Sequence, residues 1–207
     1  MTARSTTRAG QQPRQRMSRA ERERQILTVA EDLFAERGYA QATMDELAER
    51  VGVSKPVIYD YFGSKEGLLL ALLTRVRGEL YAATRPALDA AASPREGLRA
   101  SLTAFFCFID GHRAAWSVLN RESALVGAEA LAAVERLRSQ QAEFLGAFLV
   151  GAGAAPDPAT AAVYAQILVG AAERLALWQE HHPALTAEAA ADHLMNALWN
   201  GMSGART

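Results

Sequence analysis

Apolar residues recur at helical spacing along most of the chain. The first stripe has the spacing i, i+3, i+4, i+7 and i+8, which places its members on one face of an amphipathic helix: Ile26, Val29, Ala30, Leu33 and Phe34. No stretch alternates apolar and polar residues in the way that a half-buried strand does. The pattern therefore predicts an all-α protein.

Helix start and stop signals divide the chain into about nine predicted helices. The capping-box pattern S/T-x-x-E occurs at residues 18–21, 43–46 and 93–96, each time just before a helical stripe. The first helix is expected to end at Gly38 and the helix opened by Pro94 at Gly111, because glycine commonly follows a helix C-terminus. The other predicted helices cover residues 44–51, 54–62, 64 toward 86, a short segment around 116, about 131–148, 157–181 and 186–202.

Charge is distributed unevenly along the 207 residues, although the formal net charge is only -1. Residues 1–20 contain five arginines and no acidic residue, whereas residues 82–207 contain nine basic and twelve acidic side chains. Contact with a nucleic acid is therefore expected near the front of the chain. We predict a disordered basic arm at 1–17, an N-terminal three-helix helix-turn-helix bundle at 18–80 and a C-terminal helical domain at 81–207.

The segment 43–62 has the layout of a helix-turn-helix. Ala48 is small where two helices must cross closely, and Gly52 stands where the turn is expected to need a positive φ. We predict that Ser54 caps the second helix, that Pro56 fits its first turn and that Ile58 holds it onto the bundle. The second helix is about 12 Å long, which suits a major groove. The alternative is a helical hairpin that only packs against its neighbours.

At these residues the sequence resembles the tetracycline-repressor (TetR) family of bacterial regulators. The resemblance extends from Ile26 to Leu73, about a quarter of the chain. It is strongest in four segments: EDLFAERGY at 31–39, TMDELA at 43–48, VSKPVIY at 53–59 and YFGSKEGL at 61–68. It implies a DNA-binding domain followed by a helical domain for dimerisation and ligand sensing.

The resemblance also implies which side chains contact DNA. It assigns contacts with the DNA backbone and bases to Thr43, Ser54, Lys55, Tyr59, Tyr61 and Lys65. Pro56 and Val57 are candidates for apolar contact with a thymine methyl group. Other roles remain open at this point, since Thr43 can be a helix cap alone and either tyrosine can be a core residue. Asp60 is an argument against DNA contact, because phosphates repel a carboxylate.

Two helical stripes near the C-terminus favour a homodimer, which would read both halves of a palindromic operator on double-stranded DNA. Their many alanines permit close helix packing, and the family resemblance indicates the same two helices. The alternative is that both stripes face the core of the chain itself. The predicted interface consists of Ile167, Leu168, Ala171, Leu175, Trp178, Leu194, Met195 and Leu198.

Residues 102–116 are apolar around more than one helix face, as in a helix that lines a cavity. Together with the resemblance, this predicts a pocket for an unidentified small-molecule effector, apolar or amphipathic, which releases a repressor from its operator. The alternative is a DNA-binding or partner-binding protein of the same fold that has no ligand. The predicted pocket residues are Phe105, Phe106, Ile109, Trp116, Phe144, Phe148 and Arg174.

Other function classes find little support in the sequence. No nucleophile elbow, phosphate-cradling glycine loop or metalloprotease motif occurs, so an enzyme is not expected. One cysteine and four dispersed histidines argue against a structural metal site, and we predict no cofactor. Pro156 and Pro158 divide the apolar stretch 144–172 into pieces too short to span a membrane, and we expect a cytoplasmic protein.

Overall fold

The structure is a computed structural model of the chain, and it describes residues 17–113, 116 and 128–199. Over these ranges it is helical, without a strand, which confirms the all-α prediction. The predicted arm lies outside the described residues except for Met17, and so does most of the short helix predicted around Trp116. The helices are α1 (Arg19–Gln41), α2 (Met44–Val51), α3 (Lys55–Phe62), α4 (Lys65–Asp89), α5 (Pro94–Gly111), α6 (Ala128–Gly151), α7 (Pro158–Gln179) and α8 (Ala187–Leu194), followed by a π-helical turn at Met195–Trp199.

Helix ends follow the signals in the sequence. Ser18 and Glu21 form a complete capping box, with Glu21 N–H donating to the Ser18 hydroxyl at 3.2 Å and Ser18 N–H donating to the Glu21 carboxylate at 2.7 Å. Thr43 and Ser93 accept from the expected backbone N–H groups. Gly38 interrupts α1 with φ 75° and ψ 156°, so regular helix stops there as predicted and one further turn follows.

Helix α4 continues to Asp89, one turn beyond the predicted end at Pro86. Proline removes one backbone donor, but the following turn still closes, because Ala90 N–H donates to the Pro86 carbonyl at 3.1 Å. The added turn also buries Leu88. Apolar packing therefore extends the helix past a residue that the sequence pattern treats as a stop.

Two separate cores meet along α4. The N-terminal core is formed by α1, α2, α3 and the first part of α4, and its last α4 member is Val76. The C-terminal core begins on the same helix at Leu80 and is completed by α5, α7, α8 and parts of α6. The Phe108 side chain packs against both cores. Helix α4 is thus shared by the two halves of the molecule.

A polar contact also joins the two halves. Glu31 of α1 accepts from the Arg75 guanidinium at 2.5 Å, and its other carboxylate oxygen lies 3.0 Å from Nδ1 of His112 at the end of α5. The His112 ring stacks on Phe108, with ring centroids 4.1 Å apart. The end of α5 is therefore held against α1 at the point where the cores meet.

Among the described helices, none is long and apolar enough to cross a membrane.

Candidate nucleic-acid interface and ligand cavity

The turn between α2 and α3 is tight because Gly52 adopts the left-handed conformation, with φ 76° and ψ 38°. Gly52 and Val53 both donate a backbone N–H to the Ala48 carbonyl at 3.0 Å. This confirms the predicted positive φ at Gly52. On α3, Ile58 is the only buried side chain, and it is fully enclosed by the N-terminal core. Tyr61 and Phe62 pack partly against the same core, and the face that carries Lys55, Pro56 and Tyr59 is left exposed to a partner.

The exposed face of α3 carries a charged and an aromatic side chain. Lys55, Pro56 and Tyr59 are exposed, and Val57 is partly buried. The Lys55 ammonium donates to the Asp45 carboxylate of α2 at 2.8 Å, and this hydrogen bond raises the pKa of Lys55. Because the Asp45 carboxylate is itself largely exposed, water or a phosphate can replace it. Lys55 is thus a positive charge held in place by an exchangeable partner.

Ser54 stands at the N-cap position of α3, but its hydroxyl accepts no hydrogen bond from the helix. The predicted cap bond is therefore wrong. A serine cap bonds the second or third backbone N–H of its helix. Here Pro56 occupies the second position and has no N–H, and the Val57 N–H donates to the Ser54 carbonyl at 3.0 Å. The exposed hydroxyl is therefore not used in capping.

Thr43 and Lys65 lie at the N-termini of α2 and α4. The Thr43 hydroxyl is exposed and accepts a hydrogen bond from Glu46 N–H at 3.1 Å, so Thr43 caps the N-terminus of α2. The Lys65 ammonium donates to the Ala40 carbonyl at 3.3 Å and lies 4.5 Å from the centre of the Tyr39 ring. Lys65 is partly buried by these contacts, in contrast to Lys55.

The two tyrosines of α3 differ in exposure. Tyr59 is 40% exposed, whereas Tyr61 packs against the N-terminal core. The Arg19 guanidinium lies 4.6 Å from the centre of the Tyr61 ring and 3.4 Å from the Asp60 carboxylate. Sequence reasoning counted Arg19 only among the five arginines of residues 1–20 and missed this contact. Because Arg19 offsets the charge of Asp60, this carboxylate repels DNA phosphates less strongly than the sequence alone indicated.

A cavity of about 50 Å³ lies between α4, α5, α6 and α7 in the C-terminal half. Its walls are mostly aliphatic and aromatic, and polar groups from α6 and α7 close one end. Of the predicted pocket residues, Phe105 and Phe144 line it. The full lining is Tyr81, Thr84, Leu88, Leu98, Ser101, Leu102, Phe105, Gln141, Phe144, Leu145, Leu168, Val169, Ala172 and Glu173.

The other predicted pocket residues lie elsewhere. Phe106, Ile109 and Trp116 are buried within the C-terminal core, and Phe148 packs against that core. Leu168, Ala172 and Ala176 form the buried face of α7. Arg174 lies on a different face, is exposed and points away from the cavity. Helical periodicity identified apolar positions but not which of them border empty space.

A buried ion-pair cluster, missed in the sequence, reaches the cavity through Glu173. One Glu173 carboxylate oxygen accepts from Arg77 of α4 at 3.1 Å, and the other lies 2.9 Å from Arg138 of α6. Arg77 also donates to the Gln141 side chain at 3.2 Å. Burial lowers the pKa of Arg77, and the nearby Glu173 only partly opposes this shift. The one sequence signal was that Glu173 and its neighbour Arg174 are the two charged residues of a largely apolar helix.

An open cleft of about 420 Å³ between α4 and α6 adjoins the cavity. Tyr81, Gln141 and Phe144 line both spaces. The rings of Tyr81 and Phe144 meet edge to face, 5.5 Å apart, and the Arg85 guanidinium lies over both. Arg77 lines the cleft, whereas Glu173 lines the cavity, so the ion-pair cluster stands where the two spaces meet.

The outer face of α7 exposes large apolar side chains. Val163, Ile167 and Trp178 are 58%, 49% and 47% exposed. Of the predicted interface residues, Ile167 and Trp178 lie on this face, and Ala171, Leu175 and Leu198 are partly buried. The prediction is wrong for Leu168, Leu194 and Met195, which are buried in the core of the chain itself. Helix α7 has apolar residues on two faces, so periodicity did not distinguish the inner stripe from the outer one.

Comparison with known families agrees with this division into halves. The family model for bacterial regulatory proteins of the TetR family matches residues 26–72. A second model, the tetracyclin repressor-like C-terminal domain, matches residues 94–201, which is more than half of the chain. The chain belongs to the TetR family. TetR-family proteins are transcriptional regulators and not enzymes, and the predicted membership is confirmed.

Individual relatives of this TetR-family protein match mainly over part of their length. The transcriptional activator FasR of Mycolicibacterium smegmatis is 47% identical over 95 residues, which are 46% of this chain and 43% of FasR. The transcriptional regulator EthR of Mycobacterium tuberculosis is 39% identical over 101 residues, 48% of this chain and 47% of EthR. The chain thus spans less than half of the length of these curated relatives.

A solved structure extends the likeness to the whole fold. It is a TetR-like transcriptional regulator from Rhodococcus sp. RHA1, which is 34% identical and has a TM-score of 0.74. The alignment covers 91% of this chain and 100% of that chain. The arrangement of an N-terminal helix-turn-helix and a C-terminal helical domain is therefore that of the TetR family.

Proposed function

We propose that this TetR-family protein binds a palindromic operator in double-stranded DNA as a homodimer and that a small amphipathic ligand releases it. The observation that carries the proposal is the state of α3. One buried side chain, Ile58, holds the helix, while Ser54, Lys55, Pro56 and Tyr59 are exposed on it. A short, exposed helix after a tight turn is the element that enters a major groove in helix-turn-helix proteins.

The roles proposed for the side chains follow from their contacts. Lys55 exchanges its exposed Asp45 partner for a base edge or phosphate, and the Ser54 hydroxyl, not used in capping, donates to a phosphate. Thr43 and Lys65 sit at helix N-termini, where the helix dipole also favours an anion. Pro56 and Val57 offer apolar contact to a thymine methyl, and Tyr59 and Tyr61 offer hydroxyls to the DNA backbone.

The proposed dimer forms through the outer face of α7. Exposed Val163, Ile167 and Trp178 make one apolar stripe, which a second copy of the chain would cover. Pairing places two α3 helices against successive major grooves when they are about 34 to 36 Å apart. A ligand that changes this spacing changes the affinity for the operator.

The proposed ligand acts through α4, which lines the cavity with Tyr81, Thr84 and Leu88 and carries the N-terminal core at its other end. A ligand that tilts α4 moves the helix-turn-helix of each subunit. Linkage then requires DNA to weaken ligand binding by the same factor. FasR is an activator by name, so a reporter gene behind the operator is the measurement that distinguishes repression from activation.

The test of DNA binding is selection of bound sequences from a random duplex pool at near-physiological salt, followed by titration of the selected site. Recovery of a palindrome bound by two chains supports the proposal. Recovery of no site, together with no DNA binding at low salt, would contradict it. A variant with Lys55→Ala and Tyr59→Ala is the matched control, because both side chains are exposed and the bundle keeps its core.

A further inference from the structure

The ion-pair cluster beside the cavity places two arginines on one buried carboxylate. Arg77 is 6% exposed and Glu173 11% exposed, and both Arg77 and Arg138 are paired with this single carboxylate. Glu135 also pairs with Arg138, at 3.1 Å, but its side chain is 64% exposed and therefore screened by water. Arg138 is 30% exposed and has water and Glu135 as further partners, whereas Arg77 is the buried cation of the cluster and shares Glu173 with Arg138.

Hydrogen-bond donors in the cluster outnumber the acceptors that they reach. Both carboxylate oxygens of Glu173 are already engaged, one by each arginine. The Nε atoms of Arg77 and Arg138 are buried, and neither has a hydrogen-bond partner among the described residues. A buried donor without a partner is costly, so an additional acceptor is favoured here. A cationic ligand at the same place is repelled by the two arginines.

We propose that the effector of this protein is an amphipathic carboxylate, whose head group binds Arg77 at the junction of the cleft and the cavity and whose apolar tail lies along Tyr81 and Phe144 in the cleft, with its end in the cavity beside Phe105 and Leu168. This inference rests on the proposed function and names the ligand class for it. The planar guanidinium matches a carboxylate through two parallel hydrogen bonds. The apolar walls can hold a tail but do not fix its direction, so the contact of the head group determines how the ligand is oriented.

Binding in this way has a mechanical consequence. The ligand carboxylate competes with Glu173 for Arg77, and the Arg77–Glu173 pair is a direct tie between α4 and α7. Helix α4 leads into the helix-turn-helix, and the outer face of α7 is the proposed dimer surface. Loss of the tie lets α4 shift relative to the dimer, which is the movement that the proposed release from DNA requires.

The test compares three probes of equal tail length, decanoate, decanol and decylamine, by calorimetry on the full-length protein without DNA at pH 8. All are kept below the concentrations at which they form micelles. Decanoate is expected to bind about tenfold more tightly than decanol, as one charged hydrogen-bonded contact provides. Equal binding of decanoate and decanol, or tighter binding of decylamine, would overturn the proposal.

Two variants test the head-group site. Glu173→Gln keeps the size of the side chain and removes the competing charge, so decanoate should bind about tenfold more tightly than to the unchanged protein. The double variant Arg77→Gln with Glu173→Gln leaves a neutral hydrogen-bonded pair, and decanoate should then bind no better than decanol. Arg174→Gln is the matched control, because this neighbour of Glu173 is exposed and outside the cavity. An unchanged preference for decanoate in the double variant would overturn the proposal.

The two proposals fail in different experiments. The probe affinities do not involve DNA, so they judge the carboxylate site even if no operator is found. If decanoate binds the unchanged protein more tightly than decanol does, as expected, but leaves the affinity of the protein for a selected operator unaltered, the ligand class stands and ligand control of DNA binding fails. If decanoate releases the operator and decanol does not, both are supported.

Discussion

The ion pairs beside α3 and the ion pair beside the cavity are built in opposite ways. In the N-terminal half the pairs Lys55–Asp45 and Arg19–Asp60 are exposed and lie on or beside the helix proposed to meet DNA. In the C-terminal half the pair Arg77–Glu173 is enclosed between three helices. Exposed pairs contribute little to stability and exchange easily, whereas breaking a buried pair leaves an uncompensated charge. The exposed pairs suit a surface that binds a polyanion, because their partners can be replaced by phosphates. The buried pair suits a contact that holds α4 and α7 in one of two relative positions.

The largest difference is expected from removing the buried carboxylate. Glu173→Ala leaves Arg77 and Arg138 without a buried counterion and should lower the free energy of unfolding by about 3–5 kcal/mol. Asp60→Ala, which breaks an exposed pair, should cause no measurable loss. Urea denaturation of the two variants checks this, and equal losses would remove the distinction between the exposed and the buried pairs.

A large loss is also expected when the single anchor of α3 is shortened. Ile58→Ala creates a cavity in the N-terminal core and should lower the free energy of unfolding by about 2–5 kcal/mol, with Ile58→Val costing about 0.5–1.5 kcal/mol. Denaturation followed by circular dichroism measures both. A graded loss supports one packed anchor, whereas no loss with Ala would mean that other contacts hold α3.

The two lysines should affect DNA binding differently. Lys65→Ala is expected to weaken binding to any DNA and to reduce the slope of log affinity against log salt by about one unit, because one phosphate contact is lost. Lys55→Ala should mainly reduce the preference for the selected operator over random DNA. Titrations of both variants on both duplexes at several salt concentrations provide the measurement. Equal effects on specific and random DNA from both changes would refute this division.

The smallest effect is expected at the partner of Lys55. Asp45→Asn removes the carboxylate that competes with DNA for the Lys55 ammonium, so affinity for the selected operator should rise about two- to fivefold, in line with the small energy of an exposed pair. Glu49→Gln on the same helix is the charge-matched control. A rise of equal size in the control would show a general charge effect and not release of Lys55.

Much of the N-terminal half could be predicted because its signals are local. Gly52 has the predicted left-handed conformation, Ile58 is buried as predicted and α2 and α3 have nearly the predicted bounds. The error at Ser54 has a local cause as well, since Pro56 has no N–H and the Val57 N–H bonds the Ser54 carbonyl in place of its hydroxyl. The C-terminal half was less predictable, because α7 carries apolar residues on opposite faces and only its neighbours determine which face is buried.

The amino-acid sequence by itself determined the helices, the tight turn and the family, because capping, glycine conformation and apolar spacing act over a few residues. Only the tertiary structure decided what meets across large separations in the chain. Arg77 and Glu173 are 96 positions apart, and Glu31 meets His112 across 81 positions. No local pattern specifies such pairs, since each depends on how α1, α4, α5 and α7 pack. That packing placed Glu173 in the wall of a cavity and left Arg174, its neighbour, in solvent.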